Sequence, residues 1–305
     1  LEEGDSGKEL RIETITGTSY SGTIKEMYIG EQYGILCQLI LEHGGSGVYD
    51  VVLILLTGIC IVVCVVTQAL LKRKIPLIYL AWVLLICGLW LLSESVFRQF
   101  IVSNLSVFSF LTFWSLMTIP FPFLIYVNSI QEGRYQKYYL PASILTTANF
   151  VYQNVMLFVF GQDMWFNLSK THIAIGVTIL TLVVTITVDL LKKRAKKYML
   201  VVVGILGLLL CAVFEMVLYY LNPNWSIGSI LACGLLFLLT MAVAKTVKDL
   251  VFMEREKQRA IASGESKARF LANMSHEIRT PINSIVGVNE MILRECKEPA
   301  IRDYA

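Results

Sequence analysis

The sequence predicts a mostly α-helical membrane protein, with a short β segment before its first membrane span and a long helix after its last. The 305 residues are 56% hydrophobic and only 16% charged, a composition that argues against an ordinary soluble domain. Apolar stretches of about 20 residues recur along the chain, and this length crosses a hydrocarbon core about 30 Å thick. A run with an apolar heptad pattern follows the last stretch, which predicts a helix of a dimeric coiled coil.

Residues 1–47 are polar and predict a small extracytoplasmic β segment. Apolar and polar residues alternate over Leu10–Ile15 and, less regularly, over Thr23–Gly30, which is the pattern of half-buried strands. Because two strands are only marginally stable alone in water, we expect the remnant of a β-sandwich in a chain cut from something longer. Gly44–Gly47 then predicts a linker into the membrane.

The membrane domain is predicted over residues 48–246 as a bundle of seven transmembrane helices. Within the third helix, Pro120 and Pro122 predict a kink or an unwound turn, because proline removes backbone hydrogen bonds. The predicted spans are Val48–Leu71, Ile75–Ser93, Ser106–Val127, Leu140–Phe160, Thr171–Leu191, Met199–Leu221 and Ser226–Thr246.

Charge in the loops between the spans predicts the orientation of the bundle. Basic residues collect in alternate loops, at Lys72–Lys74, at Arg134 and Lys137, and at Lys192–Lys197. The remaining loops carry few basic residues, so the positive-inside rule places the basic loops in the cytoplasm. We therefore expect an amino terminus outside, a carboxyl terminus in the cytoplasm, and membrane lipid around the bundle.

Five polar residues are predicted to lie toward the outer half of the bundle. Small residues beside Glu215 at helical spacing, Gly204 and Gly207 among them, predict close helix packing with Glu215 pointing inward. One interpretation of the five is a pocket for an unknown extracytoplasmic ligand, and the other is a structural hydrogen-bonding cluster or an interfacial position. We favour the structural interpretation, since the sequence does not show that these side chains meet. The residues are Glu94, Arg98, Gln153, Asn154 and Glu215.

Composition argues against two other classes of site. A formal net charge of +3 is too small to indicate a nucleic-acid partner. The seven cysteines show no CxxC pair and no metal-ligand spacing, and most fall within apolar runs. We therefore expect no metal site, and cysteines that act as small packing residues.

The helix after the last span is predicted to enter the cytoplasm as a linker coiled coil over residues 247–264. Apolar residues recur in steps of three and four, with polar Glu254 and Lys257 weakening the repeat, and the pattern is regular after Ala268. A long helix with one apolar face needs a partner in water. The simplest partner is a second copy, so we predict a homodimer.

The most specific motif lies on this helix, at Phe270–Pro281 (FLANMSHEIRTP). If Ser275 and Ile278 occupy the a and d positions, His276 falls at b, on the solvent side of the coil. A neutral imidazole is well populated near pH 7 and offers a nucleophilic nitrogen. The run closely resembles the H-box of sensor histidine kinases of the HisKA type, the segment whose histidine becomes phosphorylated.

The resemblance implies a role for each residue around His276. In that family the acidic residue after the histidine, here Glu277, accepts a hydrogen bond from Nδ1 and acts as a general base. The Thr or Asn four residues on, here Thr280, helps to orient the water that dephosphorylates a response regulator. Pro281 is expected to bend the helix just past this turn.

The layout of residues 1–250 also resembles the bacterial seven-transmembrane receptors with diverse intracellular signalling modules. Tyr28–Gly30 and Tyr33-Gly34 are loosely similar to the segment that precedes the membrane in that family. This resemblance implies a multi-pass protein of the bacterial inner (plasma) membrane with an external signal.

Residues 265–305 are then expected to be part of a dimerisation and phosphoacceptor domain, which is complete only as a four-helix bundle of two chains. The sequence contains no P-loop and no Gly-rich nucleotide box, so we expect ATP and Mg²⁺ on a catalytic domain absent from this chain. The chain is interpreted as a protein-histidine kinase truncated after its phosphoacceptor helix, with a response regulator as partner.

Two alternatives remain open from the sequence. A seven-transmembrane receptor without enzymatic activity would use the cytoplasmic helix only to dimerise, although it would not account for the order of Glu277, Thr280 and Pro281 after His276. A transporter would show internal repeats or paired broken helices, and no convincing repeat is present.

Overall fold

The computed structural model describes residues 30–95, 97–98, 105–221 and 228–295, and these residues form helices and short connections without a strand. Contacts divide the chain into two compact units, with the division between Thr246 and Val247. The α-helices are α1 Gln32–Leu71, α2 Leu77–Glu94, α3 Leu105–Thr118, α4 Pro120–Ile130, α5 Gln136–Phe158, α6 Leu168–Leu191, α7 Met199–Leu221 and α8 Ser229–Glu295, and short 3₁₀ helices lie at Met164–Asn167 and Arg194–Tyr198.

Most of these helices are long and apolar enough to cross a membrane. Among the described residues, six helical segments are long and apolar enough to cross a membrane, with α3 and α4 counted together as one of them. The helix that does not qualify is α5, at the fourth predicted span. Its 23 residues extend over about 35 Å, which is enough to cross, but the buried polar residues Thr146, Asn149 and Gln153 make it less apolar.

The start of α1 differs from the prediction. Gly44–Gly47, predicted as a linker, lies inside a helix that already begins at Gln32. Strong helix formers such as Leu36, Leu39 and Leu41 precede the glycines, and a glycine inside a helix costs only about 1 kcal/mol. The predicted strand Leu10–Ile15, and Thr23–Gly30 apart from its last residue, lie outside the described residues.

The third predicted span is interrupted where the prolines predicted it. Helix α3 ends at Thr118 and α4 begins at Pro120. The backbone of Ile119 stays in the right-handed helical region, and its N–H still donates to the carbonyl of Ser115 at 3.0 Å. The interruption is therefore a loss of hydrogen bonds rather than an unwound turn, because Pro120 and Pro122 have no N–H to donate.

Helix α7 packs closely on α8 through glycine, as the small-residue stripe predicted. A Cβ added at Gly204 would lie 2.9 Å from Leu238 Cδ1, 3.1 Å from Met241 Cβ and 3.2 Å from Leu238 Cα. From the other side, a Cβ on Gly234 of α8 would lie 2.9 Å from the Cβ of Cys211. Only glycine allows the two backbones to come this near.

Replacing Gly204 by Ala should therefore destabilise the first unit, which ends at Thr246, by about 1–3 kcal/mol, the usual cost of overpacking. A backbone atom and a Cβ stand in the way, so rotation of one flexible side chain does not relieve the contact. Gly176→Ala is the matched control: it lies within α6, has nothing within 4 Å of the added Cβ, and should be neutral or slightly stabilising. Denaturant titration of both variants in one detergent makes the comparison, and equal midpoints would contradict the close packing.

The second unit, from Val247 onward, consists in its described part of the remainder of α8. Its side chains are exposed along nearly the whole length, including large apolar ones. The helix ends at Glu295. A single exposed helix of this length gains little from burial, so its stability depends on partners.

Candidate functional site

The turn from His276 to Thr280 lies well inside α8, far from either end of that helix. His276, Glu277 and Thr280 are all exposed. The Thr280 hydroxyl donates to the backbone carbonyl of His276 at 3.1 Å. This places Thr280 one turn along from His276 and on the same face, while Glu277 is the adjacent carboxylate.

Pro281 changes the backbone hydrogen bonding of the same turn. It lies in the interior of α8 and has no N–H, so the carbonyl of Glu277 lacks its usual helical partner four residues on. The helix nevertheless continues to Glu295. Ser284 adds a second hydroxyl contact, to the Thr280 carbonyl at 3.0 Å. The reactive turn is therefore helical but held by one backbone bond fewer than its neighbours.

An apolar face runs along α8 beside this turn. Ile278 is 50% exposed and Leu271 is 64% exposed, and Ile282 and Ile285 extend the same row. These are the predicted contact positions of the coil. Burying them against another helix would remove a substantial apolar area from water, whereas His276 lies off this row and would stay accessible.

Glu215, one of the five predicted pocket residues, has a structural role. It is 3% exposed, and one carboxylate oxygen accepts from the Leu231 N–H at 2.8 Å while the other accepts from the Gly228 N–H. Both N–H groups belong to the start of α8, where the helix cannot satisfy its own donors. A carboxylate at this position also complements the positive end of the helix dipole.

Three other predicted pocket residues also form hydrogen bonds with residues outside the predicted set. Gln153 donates to the Asn167 carbonyl at 2.8 Å and to Thr171 Oγ1 at 3.2 Å. Asn154 donates to the carbonyl of Phe150 at 2.8 Å, within its own helix. Arg98 donates to the carbonyl of Ser93 at 2.9 Å. None of these bonds joins two members of the predicted set, and Glu94 lies at the last position of α2.

A buried carboxylate that the sequence analysis did not single out connects three parts of the bundle. Asp189 is fully buried, and its Oδ1 accepts from Arg134 and from the Tyr135 hydroxyl, each at 2.8 Å. Its Oδ2 accepts from the Tyr198 hydroxyl at 2.7 Å. Asp189 thereby ties the end of α6 to the α4–α5 connection and to the 3₁₀ helix before α7. The signal in the sequence was an acidic residue in the last turn of an apolar run.

Further polar contacts surround this carboxylate. Tyr139 donates to Gln131 Oε1 and meets the Thr185 hydroxyl at 2.6 Å. At the surface, Lys197 binds Glu132 at 2.7 Å, and this hydrogen bond together with the lysine charge lowers the pKa of Glu132. The buried part of this Asp189 cluster fixes helix ends, whereas the exposed ion pair contributes little.

A second carboxylate that escaped notice is Asp50 in α1. It is 2% exposed, and its Oδ1 is buried without a hydrogen-bond partner. Buried unpaired carboxylate oxygens are costly and uncommon.

Among the residues that the structure describes, no group of three or more His, Cys, Asp or Glu side chains could hold a metal ion.

Comparison with known proteins bears on the second unit. Residues 266–305 match the family model of the His Kinase A (phospho-acceptor) domain. Probable histidine kinase 4 of Oryza sativa subsp. japonica is 47% identical over 58 residues, which are 19% of this chain and 6% of that protein. The sensory/regulatory protein RpfC of Xanthomonas campestris pv. campestris is 38% identical over 72 residues, 24% of this chain and 10% of that protein.

The signal transduction histidine-protein kinase BarA of Escherichia coli K12 is 41% identical over 54 residues, which are 18% of this chain and 6% of that protein. The chain thus spans about a tenth or less of the length of these curated relatives. No solved structure matches it significantly. The comparisons support a histidine-kinase phosphoacceptor segment on α8, in agreement with the H-box resemblance.

Proposed function

We propose that the protein is a membrane sensor histidine kinase of a two-component system, in which His276 is the phosphoacceptor. The observation that supports this most directly is the exposed turn of α8 within a matched phosphoacceptor segment, where His276, Glu277 and Thr280 follow in family order. An exposed imidazole with an adjacent carboxylate can act as a nucleophile without further rearrangement.

The proposed chemistry begins with an attack by His276 Nε2 on the γ-phosphorus of ATP. The new bond is N–P, the bond that breaks joins the γ-phosphorus to the β,γ-bridging oxygen, and ADP leaves. Glu277 would hold the Nδ1 proton as positive charge develops on the ring, which keeps Nε2 nucleophilic. ATP and Mg²⁺ would be bound by a catalytic domain supplied outside these residues.

Thr280 and the partner protein complete the cycle. A response-regulator aspartate would take the phosphoryl group from His276, since an acyl phosphate forms readily from a phosphoramidate. Thr280 is exposed and can rotate its hydroxyl from the His276 carbonyl to a water on the regulator. Residues 247–295 would pair with a second copy through the apolar face that includes Leu271 and Ile278.

The first unit would be the sensor. We propose seven spans, with α5 as the fourth because it is long enough to cross, and with the basic loops in the cytoplasm. The seventh span would be the first part of α8, the helix that also carries His276. Polar Glu254 and Lys257 lie on α8 between this span and His276. They would weaken the contact between the two chains of the dimer there and provide a point of movement.

The experiment is phosphorylation in a reconstituted membrane. The full chain in lipid nanodiscs is mixed with a separate histidine-kinase ATP-binding domain, Mg²⁺ and ATP labelled in the γ-phosphate. We expect protein-bound phosphate that is stable in base and labile in acid, as a phosphoramidate is. Acid-stable label, or none with a domain that phosphorylates another HisKA segment, would refute the proposal.

A further inference from the structure

A cavity of about 260 Å³ lies inside the first unit, lined by residues of α2, α4, α6, α7 and α8 together with Ile119. Every lining residue is apolar, and buried Cys87, Leu182 and Leu235 are among them. Water does not fill a wholly apolar cavity, because a buried water molecule needs polar hydrogen-bond partners. The cavity therefore suits a hydrocarbon group.

The most exposed residues that line the cavity lie near the middle of their helices. Ile179 and Val183 of α6 and Leu209 of α7 line it and are 41–47% exposed. Ile179 and Leu209 are close to the midpoints of their helices, which extend over Leu168–Leu191 and Met199–Leu221. In a bilayer these midpoints lie in the hydrocarbon core, so an occupant would enter from the lipid rather than from water.

The cavity also lies at the proline interruption of the third span. Ile119, between α3 and α4, and Phe123, one turn later, both line it. The carbonyl of Leu116 has no N–H to accept from Pro120, so this part of the span resists bending less than an intact helix. A group that fills the cavity would support Ile119 and Phe123 at this point.

We propose that this cavity is a binding site for a single aliphatic chain. An apolar cavity of about 150 Å³ takes up benzene, which has six carbons, so in proportion to its volume this cavity takes a chain of roughly eight to ten carbons. The chain can belong to a free single-chain amphiphile or to a membrane phospholipid. Both have the same chemistry in the cavity, and the experiment distinguishes them.

Occupancy would bias the helix that carries the phosphoacceptor, a consequence that rests on the proposed function. Leu231 and Leu235 of α8 line the cavity, and Ala212 of α7 lies one turn before Glu215, which caps the start of α8. A ligand that binds one arrangement of these helices better than another shifts the population toward it. Binding itself does not depend on His276.

The test is photolabelling of the full chain in nanodiscs. A medium-chain alkanoic acid with a diazirine on its chain is the free probe, and a phospholipid with a diazirine on one acyl chain is the lipid probe. We expect saturable labelling by at least one probe, mapped to cavity residues of α2, α7 or α8, and suppressed by an excess of the unlabelled compound. The probe that labels identifies the source of the chain.

The cavity-filling variant is Ala212→Phe, and the matched control is Val213→Phe, the next residue, which is 62% exposed. We expect Ala212→Phe to reduce saturable labelling at least about tenfold, because the new ring occupies the site. Val213→Phe should leave it unchanged. Equal labelling of both variants, or labelling that never saturates, would overturn the proposal.

Tryptophan quenching provides a second measurement if Ala212→Phe does not fold. Trp90 lines the cavity, whereas Trp82 and Trp114 are 46% and 42% exposed. Titration with a brominated medium-chain acid should show a saturable quench that disappears in Trp90→Phe. Its persistence in Trp90→Phe would place the chain elsewhere. Labelling without phosphorylation of His276 would refute the proposed function and leave the binding site standing.

Discussion

Replacing His276 by Gln is expected to abolish phosphorylation of the chain in the nanodisc assay. Glutamine keeps a polar side chain at an exposed helical position, so α8 should remain intact, but it lacks a ring nitrogen that can attack phosphorus. Loss of the nucleophile itself should lower incorporation by at least about a thousandfold. Circular dichroism of the variant checks that the helix content is unchanged.

Two neighbouring variants make this result specific. Glu277→Gln should retain the phosphoacceptor but slow phosphorylation by about a hundredfold, the usual contribution of a general base. Thr280→Ala should be phosphorylated at the normal rate and lose the ability to dephosphorylate a phosphorylated response regulator. Wild-type incorporation in His276→Gln would mean that another residue accepts the phosphoryl group.

Replacing Asp189 by Ala should destabilise the first unit by about 2–4 kcal/mol, because a buried polar group left without its hydrogen-bond partner costs about 1–3 kcal/mol. Its two oxygens accept three hydrogen bonds, from Arg134, Tyr135 and Tyr198. The substitution leaves the hydroxyls of Tyr135 and Tyr198 without this acceptor, and it removes the carboxylate that joins three helix ends. The free energy of unfolding in detergent, followed by tryptophan fluorescence, measures the loss.

Glu132→Gln is the matched control for charge at the same end of the bundle. It removes one negative charge and an ion pair with Lys197, but Glu132 is 57% exposed, so the cost should be at most about 1 kcal/mol. If Asp189→Ala were no more destabilising than Glu132→Gln, the buried cluster would not be holding the helix ends together.

Most of the helical architecture could be predicted because lipid imposes simple rules on a chain. Long apolar runs predict membrane spans, and proline at 120 and 122 predicts an interrupted helix. The glycines predict where α7 approaches α8 closely. The start of α1 could not be predicted as well, because Gly44–Gly47 resembles a linker by composition and is helical by context. Propensity is a weak guide where a helix already extends on both sides.

The site was predictable to a different degree in each unit. His276, Glu277 and Thr280 lie in one contiguous motif, so their relation needs only helical geometry. Gln153 and Glu215 lie on different helices, α5 and α7, and the partners of each depend on packing that spacing alone does not specify. The contacts of Asp189 were missed for the same reason, since two of its three partners, Tyr135 and Arg134, lie 54 and 55 residues earlier in the chain.

The polarity of α5 has a consequence for the biosynthesis of the protein. Thr146, Asn149 and Gln153 make this helix a poor candidate for entering lipid by itself, because each polar group at depth raises the cost of insertion. Its neighbour α6 supplies the compensating partner, since the hydroxyl of Thr171 accepts from Asn149 and Gln153. The two helices should therefore leave the translocon as a hairpin, and the unit of insertion is the pair.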